Sequence, residues 1–309
     1  MTSSRSSSSV LPDYALIPTE VGVGVLYSGA LAELLVTNRL PIDLISVIPE
    51  TLWHESQEQP RYRLIQPALE LFDSITARTP VVFHGIGLSI AGGRPLDIEH
   101  VRHVAAAADR YQAGWYSEHL AAFRVGHEQM GEIHAGVGLP VPFDSGTLRQ
   151  LAPKLSIVIE EVGRPVLLEN SAIYVEVPDS EMTEAAFLNR LCEATGAGVL
   201  LDLHNLFVNQ VNLRWDAELY LAELDLANVV EIHVAGGEML GAWYTDAHSG
   251  GCPAPVWDLL DRVVPSAPAL RAVTFELHES RYATLGFNGL TAELSRIRSS
   301  IGGASVDVA

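Results

Sequence analysis

The stretch Val229–Gly250 reads VVEIHVAGGEMLGAWYTDAHSG, and the rest of the chain is organised around it. It opens on a β-branched run, the pattern of a buried strand. His233 lies inside that run, a glycine pair follows, and Asp246 and His248 close the loop beyond. Neutral imidazole and carboxylate are ligands for Fe(II), Mn(II) and Zn(II). Ordinary hydrogen-bonded loop residues give the same local pattern, so a metal site follows only if other strands supply partners.

Seven further short apolar runs precede or follow it: Val21–Val25, Ile42–Pro49, Pro80–Gly87, Trp115–Ala121, Pro165–Asn170, Gly198–His204 and Ala272–His278. Near-continuous apolar runs belong to strands covered on both faces, as in parallel sheets. Helix-compatible segments alternate with them, the clearest at Asp97–Gln112, Ser145–Glu161, Thr183–Thr195 and Asp216–Leu224. Asp97 and Thr183 suit the first turns of their helices. Eight strand–helix units with no linker predict an α/β fold, a single (β/α)8 TIM-type barrel over residues 16–301. A serine-rich tail at 1–15 is expected to be disordered, and residues 302–309 to be a flexible C-terminus. The connection Ala122–Asp144, rich in Gly and Pro, reads as one long irregular lid or binding loop.

In a barrel the catalytic groups sit at the C-terminal ends of the strands. His84, His119, Glu169 with Asn170, Asp202 with His204 and Asn205 beyond it, His233, and Glu276 all fall there, and Asp246 and His248 lie in the loop after His233. Four histidines and four acids converging on one mouth need cations to neutralise them, because buried charges require partners. That is too many ligands for one six-coordinate ion, so two or three metals are expected, with Glu169 or Asp246 as bridges. Among the remaining candidates, His100 and His103 read as solvent-facing on a helix. Glu50, His54 and Glu55 read as supporting groups. His278 reads as a hydrogen-bond partner for a ligand carboxylate. His127 and His134 lie in the long loop, Cys192 reads as core, and Cys252 as a thiol beside His248.

The composition bounds the partners. The chain has 309 residues, 48% hydrophobic and 18% charged, with a formal net charge of −19 and no basic block. That argues against a nucleic-acid surface, which needs clustered cations. It suits a basic partner or a cluster of divalent cations. Two cysteines exclude a disulfide framework and a cysteine-based zinc ribbon. No apolar run is long enough for a membrane span, and no signal-peptide pattern is present, so a cytoplasmic location is expected.

Taken in order, the segments His84-Gly85 through Leu88-Ser89, Ser117-Glu118-His119-Leu120, Glu169-Asn170-Ser171, Leu201–Asn205, Glu231–Gly236, Asp246-Ala247-His248 and Phe275-Glu276 resemble the multinuclear non-haem iron-dependent oxidative enzyme family. That family includes the methanobactin oxazolone-forming oxidase. The resemblance runs from about Val21 to Ile297, and the order of ligands is also similar to endonuclease IV and the xylose-isomerase-like barrels. It implies two or three iron ions, mixed Fe(II)/Fe(III), with O2 as co-substrate. The implied reaction is oxidation of a residue, commonly cysteine, in a ribosomally made precursor peptide, with a small partner protein helping to capture that peptide. It implies His84, His119, Glu169, Asp202, Asn205, His233, Asp246, His248 and Glu276 as metal ligands, with catalysis resting on Glu169, Asp246 and His248.

Two departures stand out. The family pattern Asp-Val-Asn-Asn is Asp202-Leu203-His204-Asn205 here. Strand alternation would put Asp202 and His204 on one face, whereas the resemblance favours Asn205, and both stay open. The family's glycine-leucine-arginine segment at strand one lacks its arginine in VGVGVLYSG. The rival reading is a multi-metal hydrolase (a phosphodiesterase) or a sugar isomerase on the same ring, or a metal-stabilised binding protein without catalysis. No flavin, haem or dinucleotide motif is present.

Overall fold

The computed structural model describes residues 20–302 except 57, 128–130 and 179, so the serine-rich tail and residues 303–309 lie outside it. Eight parallel strands close into a barrel: β1 (Gly22–Leu26), β2 (Leu44–Val47), β3 (Val81–Gly85), β4 (Tyr116–His119), β5 (Val166–Glu169), β6 (Gly198–Asp202), β7 (Val229–Ala235) and β8 (Ala272–Glu276). They pair in chain order, and β8 closes on β1 through Gly22↔Ala272 to Val25↔Phe275. Each of the eight apolar runs supplies one strand, as the sequence predicts.

Helices α1 (Ala32–Val36), α2 (Gln66–Thr76), α3 (Ile98–Tyr111), α4 (Ser145–Val162), α5 (Glu184–Thr195), α6 (Leu203–Leu213), α7 (Ala217–Glu223), α8 (Ala254–Val263) and α9 (Tyr282–Gly302) surround it. The starts follow local chemistry. Asp97, Asp144, Thr183 and Asp202 each accept a hydrogen bond from a backbone N–H three residues on, meeting one of the orphan donors of a helix N-terminus. Among the described residues no helix is long and apolar enough to cross a membrane.

Inside the barrel, side chains alternate along each strand. Leu44, Val82, Trp115, Leu167, Leu200, Val230 and Ala272 pack into an apolar plug at the floor. One or two steps of alternation further along the same strands stand Ser46, His84, Ser117, His119, Glu169, Asp202, Thr274 and Glu276, all but His119 fully buried. The floor seals the barrel and the polar layer caps it. Strand β7 needs a correction of register to join this pattern: Val199 pairs with Val229 but Leu200 pairs with Glu231. The extra residue, Val230, is a bulge that lets both Val230 and Glu231 serve the interior and puts His233 in phase with the acids.

Three expectations fail. Ala122–Asp144 is not one irregular loop: Ala122–His127 pairs antiparallel with Gly131–Leu139 as a hairpin over the mouth, because FRVGH and EIHAGVGL carry enough β-formers to pair despite their glycines. His278 does not support a ligand carboxylate. β8 ends at Glu276, so alternation stops there; His278 is exposed and its Nδ1 pairs with Ser280 Oγ at 2.8 Å.

The third is His100, which is 1% exposed. Its Nε2 lies 3.0 Å from Glu50 Oε1, which also accepts from Gly87 N. His103, by contrast, is half-buried, against Trp53 and Tyr62. His100→Ala is therefore expected to destabilise the protein by on the order of 3 kcal/mol, since it strands the Glu50 carboxylate. A shift of the urea midpoint to lower concentration at constant slope checks it.

Candidate metal centre

The strand ends deliver the site. Register sets His84 beside Ser117, His119 beside Glu169, Asp202 beside His233, and Ala235 beside Glu276. A further contribution comes from the loop after β7. Gly236 and Gly237 permit that loop to fold back: a Cβ on Gly236 would meet Gly251 O at 2.4 Å, and one on Gly237 would meet Thr245 O at 2.1 Å. After a small hairpin, Glu238–Leu240 with Trp243–Thr245, the chain presents Asp246 and His248. His248 has φ +46°, an unfavourable conformation for a non-glycine residue, and it turns the imidazole back onto Asp246.

Glu169 occupies the centre. Its Oε2 lies 3.0 Å from His119 Nε2 and 3.5 Å from His84 Nε2, and its Oε1 lies 3.5 Å from His233 Nδ1. Glu276 Oε2 is 3.3 Å from His233 Nδ1 and 3.4 Å from His248 Nε2. Asp246 Oδ1 is 2.9 Å from both His248 Nε2 and His204 Nδ1. Two groupings have donor atoms all within 4.8 Å of one another: His84, Glu169 and His233; and Glu169, Asp202, His233 and Glu276. Glu169 belongs to both. A carboxylate has an oxygen for each of two ions, whereas His233 Nδ1 can serve one.

Five donor atoms here are buried without a hydrogen-bond partner: Glu169 Oε2, Asp202 Oδ2, Asn205 Oδ1, His233 Nδ1 and His248 Nε2. Glu169, Asp202 and His233 among them belong to the tight groupings. Leaving each unsatisfied costs about 1–3 kcal/mol, and a cation among them removes that cost. The residues fit a metal ion in burial, donor type and number.

The electrostatics agree. Burial pushes His84 down to about 4, against the pull of Glu169. Burial also works to lower His248, but Asp246 and Glu276 overcome it and hold that imidazole up at about 10. Burial, with Glu169 and Asp246 nearby, drives Asp202 well above the carboxylate range. Without metal, protons at His248, His233 and Asp202 balance the acids, and metal uptake must displace them. Three consequences follow for the chelated protein. His84 is neutral when folded, so stability rises as pH climbs from about 4 to its ordinary value near 6.5. His248 is protonated when folded, so its contribution is complete below about 6.5 and is lost as pH rises toward 10. Asp202, protonated when folded, loses its contribution as pH rises above the ordinary carboxylate range and offsets His84. Denaturant titrations of chelated protein are therefore expected to show stability falling as pH rises from about 6.5 toward 10, and metal affinity to increase with pH.

All nine residues expected as ligands meet at this mouth, with differences in detail. Strand β6 ends at Asp202, so alternation does not carry His204 onto the same face. His204 is in the first turn of α6, fully buried, with Nδ1 on Asp246 and Nε2 3.4 Å from Tyr244 Oη. Asp202 Oδ1 caps α6 by accepting from Asn205 N at 2.7 Å, leaving Oδ2 toward the centre. Asn205 Nδ2 donates to Asn170 O, and Asn205 Oδ1 is left buried without a partner. Cys252 is not an activated thiol: burial and Glu293 push it well above the ordinary thiol range. Cys192 is core. Glu50 binds His100, and Glu55 binds Arg61 and Arg124, away from the ring.

Sequence reading missed the groups that aim the ligands. Ser117 Oγ is 2.9 Å from His84 Nδ1, Gly85 O is 3.1 Å from His119 Nδ1, and Glu231 Oε1 is 3.2 Å from His233 Nε2. Asn170 clamps Asp202, accepting from its N at 2.7 Å and donating to its O at 2.9 Å. A signal existed for Ser117 and Glu231, each two residues before a histidine and so on the same strand face.

Asp246→Ala removes the contact shared by His204 and His248. It is expected to lower metal content by about one ion and abolish turnover, with the barrel still folded because its apolar floor lies below. Elemental analysis beside circular dichroism tests this.

A family model described as RiPP precursor modification enzyme MbnB/TglH/ChrH matches residues 21–301. The chain belongs to this family. RiPPs are ribosomally made, post-translationally modified peptides, and this is the family the ordered motifs resemble. The relatives include UPF0276 protein RB0508 of Rhizobium meliloti (strain 1021), 36% identical over 60% of each chain. A UPF0276 protein of Chromobacterium violaceum is 33% identical over 73% of this chain and 78% of its own. In three dimensions the barrel is similar to endonuclease IV from Thermus thermophilus (TM-score 0.57, 17% identity, 92% of this chain and 100% of that one). It is also similar to D-psicose 3-epimerase from Clostridium cellulolyticum (TM-score 0.58, 9% identity, 92% and 98%). At these identities the likeness is one of fold, the xylose-isomerase-like barrel.

Proposed function

We propose that this family member is a cytoplasmic, multinuclear iron-dependent oxidase that uses O2 to modify a residue, cysteine in the first instance, of a ribosomally made precursor peptide, with a small partner protein presenting that peptide. The observation that carries the reading is the Glu169-centred ring, with five unpartnered buried donor atoms at the mouth of a family barrel. His84, His119, Glu169, Asp202, Asn205, His233, Asp246, His248 and Glu276 would hold two or three ions. Glu169 would bridge two of them, and catalysis would rest on Glu169, Asp246 and His248. Bound iron supplies redox equivalents and open positions for a soft thiolate and for O2.

The protein's own part is arrangement. Ser117, the Gly85 carbonyl and Glu231 set the orientation of three imidazoles, so each presents a fixed nitrogen. His84, Glu169, His233 and Glu276 are sealed from solvent, whereas His119, Asp246 and His248 side chains are 21%, 23% and 22% exposed. Substrate therefore enters over His119 and His248. The rest of the ring stays dry, which strengthens its electrostatics and keeps stray reductants out.

Protein isolated aerobically from iron-rich medium is expected to contain about two to three irons per chain, and to consume O2 when given a cysteine-containing candidate peptide. Stoichiometric zinc, with no gain of activity on iron loading, would sink the oxidase reading. Hydrolysis of a phosphodiester by the same preparation would replace it with the hydrolytic one.

A further inference from the structure

The loop leaving β3, the hairpin over the mouth and α4 frame a cavity of about 390 Å³. Ser89 builds the frame. It is buried at φ +53°, and its Oγ accepts from Phe123 N at 2.9 Å and Arg124 N at 3.0 Å. The Phe123 ring packs edge-on against His119, 5.3 Å between centroids. The cavity is thus one residue removed from a side chain touching the rim through which substrate would enter.

Its lining is richer in cations than the chain as a whole. Four cations line it, Arg61, Arg94, Arg124 and Lys154, against two carboxylates, Asp97 and Glu99, in a protein of net charge −19. Arg61 and Arg124 share Glu55 outside the lining, and Arg61 also holds Asp97 at 2.6 Å. Lys154 differs from these. It reaches out of α4, half-buried, and its ammonium rests on two carbonyls, Gly92 O at 2.5 Å and Ile90 O at 3.4 Å. Among the described residues no carboxylate pairs with it. Burial alone pulls its pKa below the ordinary lysine range. A partly desolvated cation held by neutral acceptors, in a walled cavity with two arginines fixed beside it, is a site awaiting an anion.

We propose that this cavity binds a carboxylate of the peptide substrate, with Lys154 as its principal counter-charge, so that an acidic residue is anchored beside His119 while a neighbouring residue reaches the metal ring. The substrate being a peptide rests on the function proposed above; the anion site itself does not. The carboxylate can come from an acidic side chain or from a chain terminus.

The test is a binding titration of the full-length, metal-loaded protein with four fluorescent or calorimetric probes. These are an acidic glutamate-containing peptide with amidated end, a neutral glycine-serine peptide with free carboxylate end, the same neutral peptide amidated, and inorganic phosphate. The acidic peptide is expected to bind and to weaken as salt rises. Lys154→Met is expected to weaken it about tenfold, with unchanged metal content and melting temperature, and Lys154→Arg to retain most of the affinity. Binding of the free-ended neutral peptide would assign the carboxylate to a terminus. Binding of phosphate alone, of no probe, or equal binding by parent and Lys154→Met would overturn the proposal. Binding that survives while no peptide is ever oxidised would keep the anion site and remove the oxidase reading.

Discussion

Glu169→Gln is expected to leave a folded barrel that holds at least one metal ion fewer than the parent and shows no measurable turnover. The substitution keeps shape and volume, so the apolar floor below it is untouched. It removes the one charge that both donor groupings share. His84, His119 and His233 all approach this carboxylate within 3.5 Å. An amide offers one oxygen instead of two and no net charge, so two cations across a short gap lose the anion between them. In a site this dry their repulsion is weakly screened: at about 4 Å and an effective dielectric near 20, a unit pair already interacts by about 4 kcal/mol, and divalent ions by more. The measurement is metal per chain by elemental analysis, with O2 uptake in parallel and His278→Ala, an exposed histidine off the ring, as the silent control. A fully metallated Glu169→Gln protein would mean that the centre is not built around Glu169, and the assignment of the other ligands would have to be withdrawn with it.

This hub differs from the one first suggested by the chain. The stretch Val229–Gly250 concentrates His233, Asp246 and His248, and so draws the eye in sequence. In space, only His233 of the three enters the tight groupings, and Asp246 lies at the rim with His204 and His248. Sequence order cannot report which carboxylate the closure of a barrel brings to the axis. It does report what each strand carries. β-branched and leucine runs marked all eight strands because a strand buried on both faces has few polar positions to spare, and the polar residues that remain fall at its C-terminal end. Helix starts at Asp97 and Thr183 are equally plain, since a cap is a local interaction.

Errors arose where an element ended sooner than its pattern. Alternation does not reach from Glu276 to His278, because the chain turns first, and at Asp202, where the sequence leaves His204 and Asn205 both open, the strand gives way to a helix. His100 was recoverable: with Val104, Ala108 and Tyr111 it completes the buried stripe of α3 at helical spacing. The cavity around Lys154 was not. Its walls come from the β3 loop, a hairpin and α4, which only the tertiary fold assembles.

The second large effect is expected at Glu231, a fully buried carboxylate that touches no solvent and belongs to neither tight grouping. Three donors converge on it. Trp115 Nε1 donates to Oε2 at 2.7 Å, Thr274 Oγ1 to Oε1 at 2.7 Å, and His233 Nε2 lies 3.2 Å from Oε1. A carboxylate acceptor keeps a proton on His233 Nε2. Against burial, Glu276 and Glu231 hold the metal-free imidazole well above its ordinary range, so metal uptake displaces the Nδ1 proton and leaves Nδ1 as the lone pair beside Glu169 and Glu276. Glu231 therefore selects the tautomer that can bind metal, while also tying the polar layer to Trp115 in the floor. In Glu231→Gln one oxygen becomes an NH2 group, and either Trp115 or the Thr274–His233 pair faces a donor in place of an acceptor. The expected loss of stability is about 2–4 kcal/mol, the penalty of a buried donor left unmet, read from the urea midpoint of the chelated protein. Metal affinity is expected to fall by about 10–100-fold, measured by competition with a chelator. A purely structural role would move the first quantity and spare the second. Nitrogen chemical shifts of the His233 ring in the metal-loaded protein separate the two directly: Nε2–H in the parent, a mixture of tautomers in the variant. Parental metal affinity with an unchanged His233 tautomer in Glu231→Gln would show that the imidazole is set by the ring itself and not by the carboxylate behind it.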